Sequence, residues 1–282
     1  MNVSVITGGA GGMGIATASR LAARGPILLA DVSQERLEAA AAELGADVHV
    51  AVCDVTDPAS VQALAGRARE LGSLGALVHT AGIAPPGAKD TRRVLDINLA
   101  GTARVLDAFL PLAQPGTVAV CIASLAGHRA FTGGFEDLLA DPLDPDLHGK
   151  LSARGVAGDD VVATYSLSKR GVMLEVRRRA ADWGARGARI VSISPGLVAD
   201  TEMGREAASI HAGAYVQQSA LQRAGTAADI AGVVAWLVSA DAAYVTGCDL
   251  LVDGGVVAHT LMHADPAARE AWNTASYPPA TS

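Results

Sequence analysis

Short, almost wholly apolar runs alternate with longer amphipathic stretches along most of the chain. Seven runs, at 3–7, 27–31, 47–53, 76–80, 117–123, 189–194 and 249–252, are predominantly hydrophobic and predict buried strands. Six stretches, at 12–24, 34–44, 59–71, 91–112, 164–185 and 227–240, repeat apolar residues at helical spacing. Asp57-Pro58 offers a cap and a first-turn proline to one of them, and Thr226 a cap to another. Strands that are hydrophobic on both faces and separated by helices predict a parallel sheet covered on both sides. Right-handed crossovers then give an α/β fold, a single-domain Rossmann-type doubly wound sheet of about seven strands.

Two segments break the alternation. Residues 126–163 separate the fifth strand from the helix that follows, and they are rich in Asp, Gly and Pro. A structureless loop of that length is rare in a compact domain, so short helices are expected at 135–140 and 147–153, in a small insertion. The tail at 258–282, ending Tyr277-Pro278-Pro279, reads as irregular.

Composition narrows the class. Of the 282 residues 50% are hydrophobic and 18% charged, enough apolar material for a substantial core. A net charge of −7 argues against a nucleic-acid surface. Cys53, Cys121 and Cys248 lie in apolar runs with no metal-ligand spacing, so no metal and no disulfide framework is expected. Such thiols suit a reducing cytoplasm. The N-terminus lacks the basic flank of a signal peptide, and no stretch of 18 apolar residues exists, so no membrane segment is expected.

The chemistry begins after the first strand, where Thr7-Gly8-Gly9-Ala10-Gly11-Gly12-Met13-Gly14 leads into a helix. Glycines let the backbone turn tightly and approach a pyrophosphate, which the helix N-terminus attracts. A plain tight turn is the alternative reading. The second strand ends in Asp31, 17 residues after Gly14. An acid there bonds ribose hydroxyls and repels a 2′-phosphate, which favours NAD(H) over NADP(H). Capping the helix near Ser33 is its other reading. Tyr165 and Lys169 lie four residues apart, on one face if that segment is helical. An ammonium beside a phenol, whose free pKa is about 10, stabilises phenolate and makes Tyr165 a general acid or base. Only three lysines occur, Lys89, Lys150 and Lys169, in a chain that otherwise prefers arginine. A lysine kept at this point fits a need for a compact charge with three donors.

Together these residues resemble the classical branch of the short-chain dehydrogenase/reductase family, over about residues 3–257. The family's glycine motif appears as Thr7, Gly8, Gly12 and Gly14, and its adenine-contacting pair as Asp54-Val55. Its Asn-Ala-Gly is here Thr80-Ala81-Gly82, which removes an amide that braces the sheet. Asn98, Ser124, Tyr165 and Lys169 match its catalytic residues, and Pro195-Gly196 and Asp253-Gly254-Gly255 two further motifs. The usual threonine after Pro-Gly falls at Asp200, with Thr201 one further on, and either could meet the nicotinamide carboxamide. Ser124 precedes Tyr165 by 41 residues where the family usually has about a dozen. That insertion, with Arg177-Arg178-Arg179-Ala180-Ala181-Asp182-Trp183-Gly184, is similar to the bacterial 3α-hydroxysteroid dehydrogenase/carbonyl reductase subgroup.

The resemblance implies a catalytic domain at 1–257 that binds NAD and interconverts a secondary alcohol and a ketone. The cofactor would meet Thr7, Gly8, Gly12, Met13, Gly14, Asp31, Asp54, Val55, Ala81, Gly82, Pro195, Gly196, Val198 and Thr201, with Tyr165 and Lys169 at the nicotinamide ribose. Ser124 would donate to the substrate oxygen, and Asn98 would hold a water that links Lys169 to solvent. The region 197–225, with Leu197, Val198, Met203, Ile210, Tyr215 and Leu221, suits a hydrophobic substrate such as a steroid, terpenoid or aromatic carbonyl. His128 could face it. Leucines and phenylalanines of the insertion, among them Phe131, Phe135, Leu138, Leu139, Leu143 and Leu147, would form a flap over the same pocket. Family members commonly pair through the 91–112 and 164–185 helices, so a homodimer or homotetramer is expected. The rival reading is an NAD-binding regulatory or scaffold protein of the same fold without turnover.

Overall fold

The structure is a computed structural model; it describes residues 2–45, 47–85 and 87–273, without the side chains at 130, 131, 133, 209–214, 268 and 271. Seven strands form one sheet: β1 (Asn2–Thr7), β2 (Ile27–Asp31), β3 (Val48–Val52), β4 (Ser73–His79), β5 (Val118–Ile122), β6 (Arg189–Pro195) and β7 (Asp249–Val252). All pair in parallel, in the order β3-β2-β1-β4-β5-β6-β7. The order reverses between β1 and β4, so a crevice opens at the carboxyl ends of the strands.

The helices are α1 (Gly12–Leu21), α2 (Gln34–Leu44), α3 (Pro58–Leu71), α4 (Thr91–Leu95), α5 (Gly101–Phe109), α6 (Glu136–Leu139), α7 (Leu147–Ala153), α8 (Val161–Gly184), α9 (Glu202–Gln218), α10 (Ala227–Leu237), α11 (Val256–His263) and α12 (Pro266–Asn273). On one face of the sheet Val61 of α3, Leu106 and Phe109 of α5, and Val176 and Trp183 of α8 share a buried cluster. On the other face Leu21 of α1, Leu37 of α2, and Val234 and Leu237 of α10 share a second. β1, β2, β4, β5 and β6 are largely removed from water on both faces, as the apolar runs predicted, while the edge strands β3 and β7 are only half-buried.

Strands 27–31 and 249–252 and helix 34–44 form at the predicted residues. The helical stretch 91–112 is less regular. A π-helical segment at Asp96–Ala100 joins α4 to α5, and a 3-10 turn at Leu110–Leu112 ends it. α8 starts before residue 164 because the Asp160 carboxylate accepts a hydrogen bond from Ala163 N at 2.9 Å.

Several expectations are corrected. Residues that read as an irregular tail form α11 and α12; Tyr277, Pro278 and Pro279 lie outside the described residues. Asp253 starts α11, its two carboxylate oxygens accepting from Gly255 N and Val257 N at 2.8 Å each. In α12, Trp272 packs with Leu125 and Val257, and the Arg129 guanidinium lies 5.2 Å from its ring centroid. Much of the region 197–225 is helical too: the Thr201 hydroxyl accepts from Gly204 N at 3.0 Å and starts α9.

The insertion is not a flap. Leu139 of α6, Leu147 and Leu151 of α7, and Val156 form a buried cluster with Leu95, Leu99, Ala163 and Leu167; Phe135 and Leu138 pack against it. Those partners belong to α4, α8 and the π segment, so Phe135, Leu138, Leu139 and Leu147 face the helices and not the crevice. Leu143 is exposed, and the Phe131 side chain lies outside the described residues. The same packing uses part of the surface of the helices through which family members commonly pair. The 91–112 and 164–185 helices give these leucines to the chain's own insertion, while Met173 and Val176 lie in the sheet-side core.

Candidate active site

Two adjoining clefts occupy the crevice. The first is walled by the glycine turn, β2 and the loops after β3 and β4: Thr7, Gly8, Gly12, Met13, Gly14, Asp31, Asp54, Val55, Ala81 and Gly82 all line it, with Thr201 opposite. Gly8 has φ +66°, and a Cβ there would stand 2.7 Å from Ala81 N, so only glycine fits this turn. No side chain caps α1, and its first turn carries no acid, which leaves a helix N-terminus suited to a phosphate. Asp31 sits on the wall, with Oδ1 accepting from Val32 N at 2.8 Å and Oδ2 from Ala10 N at 3.3 Å. Arg36 reaches the same wall and pairs with Glu202 at 3.2 Å, across the mouth of the cleft. The Asp54 carboxyl lies below the usual carboxylate range because Thr56 N and the Thr56 hydroxyl both donate to it.

The second cleft holds Ser124, Tyr165, Lys169, Pro195, Gly196 and Val198, and shares Met13, Gly82 and Thr201 with the first. Ser124 stands where β5 ends, as the cap of a 3-10 turn at Leu125–His128, and its Oγ accepts from Ala126 N at 3.2 Å. Tyr165 and Lys169 project from α8, with the Lys169 Nζ 5.9 Å from the Tyr165 ring centroid. That ammonium is buried and donates to Ile122 O at 3.0 Å. Burial pulls its pKa from 10.5 down to about 8. Two neighbours feel the same dry environment. Burial pushes the Cys121 thiol up to about 12, and burial followed by the Lys169 charge pushes His79 down to about 3.

Asn98 lines neither cleft. It is buried in the π segment, its Oδ1 accepting from Ile83 N and its Nδ2 donating to Ile83 O, both at 2.9 Å, and to Ser168 Oγ at 3.2 Å. It converges with Lys169 nonetheless: a Cβ on Gly82 would stand 3.1 Å from Asn98 Oδ1 and 3.3 Å from Lys169 Nζ.

The two residues left open after Pro195-Gly196 separate clearly. Asp200 turns to α10, accepting from Ala227 N at 2.8 Å, whereas Thr201 lines both clefts and would touch a Cβ on Gly12 at 3.0 Å. His128 does not face the cleft; its ring meets Asp249. Leu221 lines an adjoining cavity that shares Leu197, Val198 and Tyr215 with the second cleft, and the Ile210 side chain lies outside the described residues. Thr80, the departure from Asn-Ala-Gly, donates to Thr7 O at 2.8 Å and so ties β4 to β1 with a hydroxyl. Sequence reasoning passed over His79, whose Nδ1 is 2.7 Å from the Thr7 hydroxyl; no motif marks it.

Residues 2–135 match the family model described as short chain dehydrogenase, and residues 151–257 one described as enoyl-(acyl carrier protein) reductase. The D-threitol dehydrogenase of Mycolicibacterium smegmatis is 35% identical over 259 residues, covering 90% of this chain and 92% of that protein. The chain belongs to the short-chain dehydrogenase/reductase family. The crystal structure of levodione reductase, another family member, has a TM-score of 0.73 and 30% identity, covering 91% of this chain and 98% of that one. A third relative, from Xanthobacter autotrophicus, is named an inactive 2-(S)-hydroxypropyl-CoM dehydrogenase; it is 33% identical over 233 residues, 78% of this chain and 90% of that protein. The two family matches leave 136–150 between them, the stretch that carries α6. Among the described residues no helix is long and apolar enough to cross a membrane, and no group of three or more His, Cys, Asp or Glu could hold a metal ion.

Proposed function

We propose that this short-chain dehydrogenase/reductase uses NAD(H) to interconvert a secondary alcohol and its ketone on an apolar substrate. The observation that carries the reading is the convergence of Ser124, Tyr165 and Lys169 on one cleft that opens into the glycine-turn cleft. The α1 N-terminus, Asp31, Asp54-Val55, Ala81-Gly82 and Thr201 would hold the dinucleotide. Asp31 favours NAD(H), since its charge repels a 2′-phosphate. When bound, the nicotinamide ring supplies the hydride chemistry.

The chain's own groups handle the proton and the oxygen. Tyr165 exchanges the proton of the substrate hydroxyl. Lys169 holds a positive charge beside the phenol and favours its ionised form. Ser124 donates to the substrate oxygen as charge develops there. Asn98, fixed by Ile83 and Ser168, holds the Lys169 side of that arrangement in place.

Apolar substrates fit the walls. Leu125, Leu197, Met203 and Tyr215 line the catalytic cleft, and Lys169 is its one charged residue among those described. A steroid, terpenoid or aromatic ketone or alcohol matches this lining. The three cysteines are free thiols, which supports a reducing cytoplasm. Assembly as a homodimer or homotetramer would use faces other than the one the insertion covers, and light scattering at micromolar concentration reads it.

A relative named as inactive makes turnover the point to test. Absorbance at 340 nm, with NAD and a panel of secondary alcohols, is the assay. Tyr165→Phe is expected to lower kcat by a factor of about 10²–10⁴ and to leave NADH binding unchanged. Absence of turnover in the unsubstituted protein with every alcohol and ketone would favour the binding-protein alternative. Turnover in Tyr165→Phe above roughly a hundredth of the original would remove Tyr165 from its role.

A further inference from the structure

A buried carboxylate stands at the edge of the sheet, where the proposed reaction makes no use of it. Asp249, the first residue of β7, has its side chain only 4% exposed. Its Oδ1 accepts from the Ser192 hydroxyl of β6 at 2.5 Å, and its Oδ2 meets His128 Nε2 at 2.9 Å. Ser192 and Asp249 are register partners in the sheet. A buried carboxylate is costly unless its oxygens are bonded, and here the two oxygens join two other segments of the chain.

Both of those segments run directly into the catalytic cleft. Ser192 lies three residues before Pro195. His128 closes the 3-10 turn Leu125–His128 that Ser124 opens. The turn is short and held at each end: Ala123 N donates to Ile193 O at 2.7 Å on one side, and Asp249 holds His128 on the other. It also has no room to slide against the catalytic helix, because a Cβ on Gly127 would stand 2.9 Å from Arg170 N and 3.0 Å from Lys169 C. A turn wedged on α8 and pinned at both ends fixes its first residue.

We infer that His128 and Asp249 are positioning residues for Ser124, a role that rests on the reading of Ser124 as the donor to the substrate oxygen. Asp249 holds the imidazole, the imidazole holds the end of the turn, and the turn sets where the Ser124 hydroxyl stands. Displacement of a reacting group by about 1 Å can cost as much as 10²-fold in rate, so losing the anchor reaches kcat although neither residue touches substrate.

A double-mutant cycle separates this role from simple stabilisation of the fold. In the full chain, His128→Leu is expected to lower kcat about tenfold with the best alcohol of the panel, and to leave the KM for NAD within twofold. His128→Gln, which keeps an N–H donor, restores kcat to within threefold of the original. In a Ser124→Ala background, His128→Leu costs less than a further twofold, because nothing remains to be positioned. Asp249→Asn keeps the side-chain shape and serves if His128→Leu does not fold; its smaller loss must vanish in the same background. Unchanged kcat in His128→Leu, or equal losses with and without Ser124, overturns the inference while leaving Ser124 as the donor. Full activity in Ser124→Ala itself overturns both readings together.

Discussion

Lys169 is expected to be a thermodynamic burden on the fold, and its removal is expected to stabilise the protein as it abolishes turnover. The ammonium is fully buried and its pKa falls from 10.5 to about 8. The folded state therefore gives up the proton more readily than the unfolded chain does. Below pH 8 both states are charged and the whole cost of burying the charge is present. As pH rises from about 8 toward 10.5 only the unfolded chain stays protonated, so native stability rises with pH through that window. A fall from 10.5 to about 8 corresponds to about 3 kcal/mol at pH 7, and to less than half of that at pH 9.5. Lys169→Met removes the charge and keeps most of the volume. Guanidinium unfolding of both proteins at fixed concentration should show the variant more stable at pH 7, with its advantage smaller by about 2 kcal/mol at pH 9.5. Loss of the hydrogen bond to Ile122 O shifts both comparisons equally, so the difference between the two pH values isolates the charge. An advantage that does not change with pH would refute the reasoning, and so would a variant that is less stable by the same amount at both values.

Other outcomes follow from particular residues. Asp31→Ser is expected to reduce the ratio of kcat/KM for NAD to that for NADP by at least tenfold, since a charge is lost beside Arg36; an unchanged ratio would show that Asp31 does not read the ribose. Leu139→Ala is expected to cost about 2–5 kcal/mol of stability by opening a cavity under the insertion, measured by denaturant unfolding, yet to keep the kcat/KM ratio of bulky to small alcohols, because Leu139 packs on the helices. Thr80→Val is expected to destabilise by about 0.5–1.5 kcal/mol, and Thr80→Ser to restore most of it, because Thr7 O loses its side-chain donor in the first, keeping only Thr80 N, and retains both in the second.

The sheet was legible because its five inner strands are buried on both faces and therefore appear as apolar runs. The glycine turn was legible because a left-handed Gly8 pressed on Ala81 admits no other residue. Tyr165 and Lys169 were legible because helical spacing alone places them together. The two short helices of the insertion were legible as well, at 136–139 and 147–153, but the surface they pack on and the helical C-terminal end were not. Short helices such as α6 and α7 gain little from propensity and form because tertiary packing holds Leu139 and Leu147 against α4 and α8. The pattern of the insertion shows which residues seek burial and is silent about which surface receives them. Asp249 and His128 lie 121 residues apart in sequence, and only the register of β6 with β7 brings one to the other.

The cover that α12 places on the segment after Ser124 bears on how the protein comes into being. A chain emerges from synthesis with its N-terminus first, and domains assemble as their parts become available. The glycine turn, Asp31 and Asp54 are all early, so one wall of the dinucleotide cleft is made while Thr201, which stands opposite, is still to come. Leu125 and Arg129 wait far longer, since Trp272 is the residue that closes over them. The nascent chain thus holds the glycine-turn wall first and the Trp272 cover last. Truncation just before Trp272 is a way to leave both clefts lined and the wall at Leu125 uncovered.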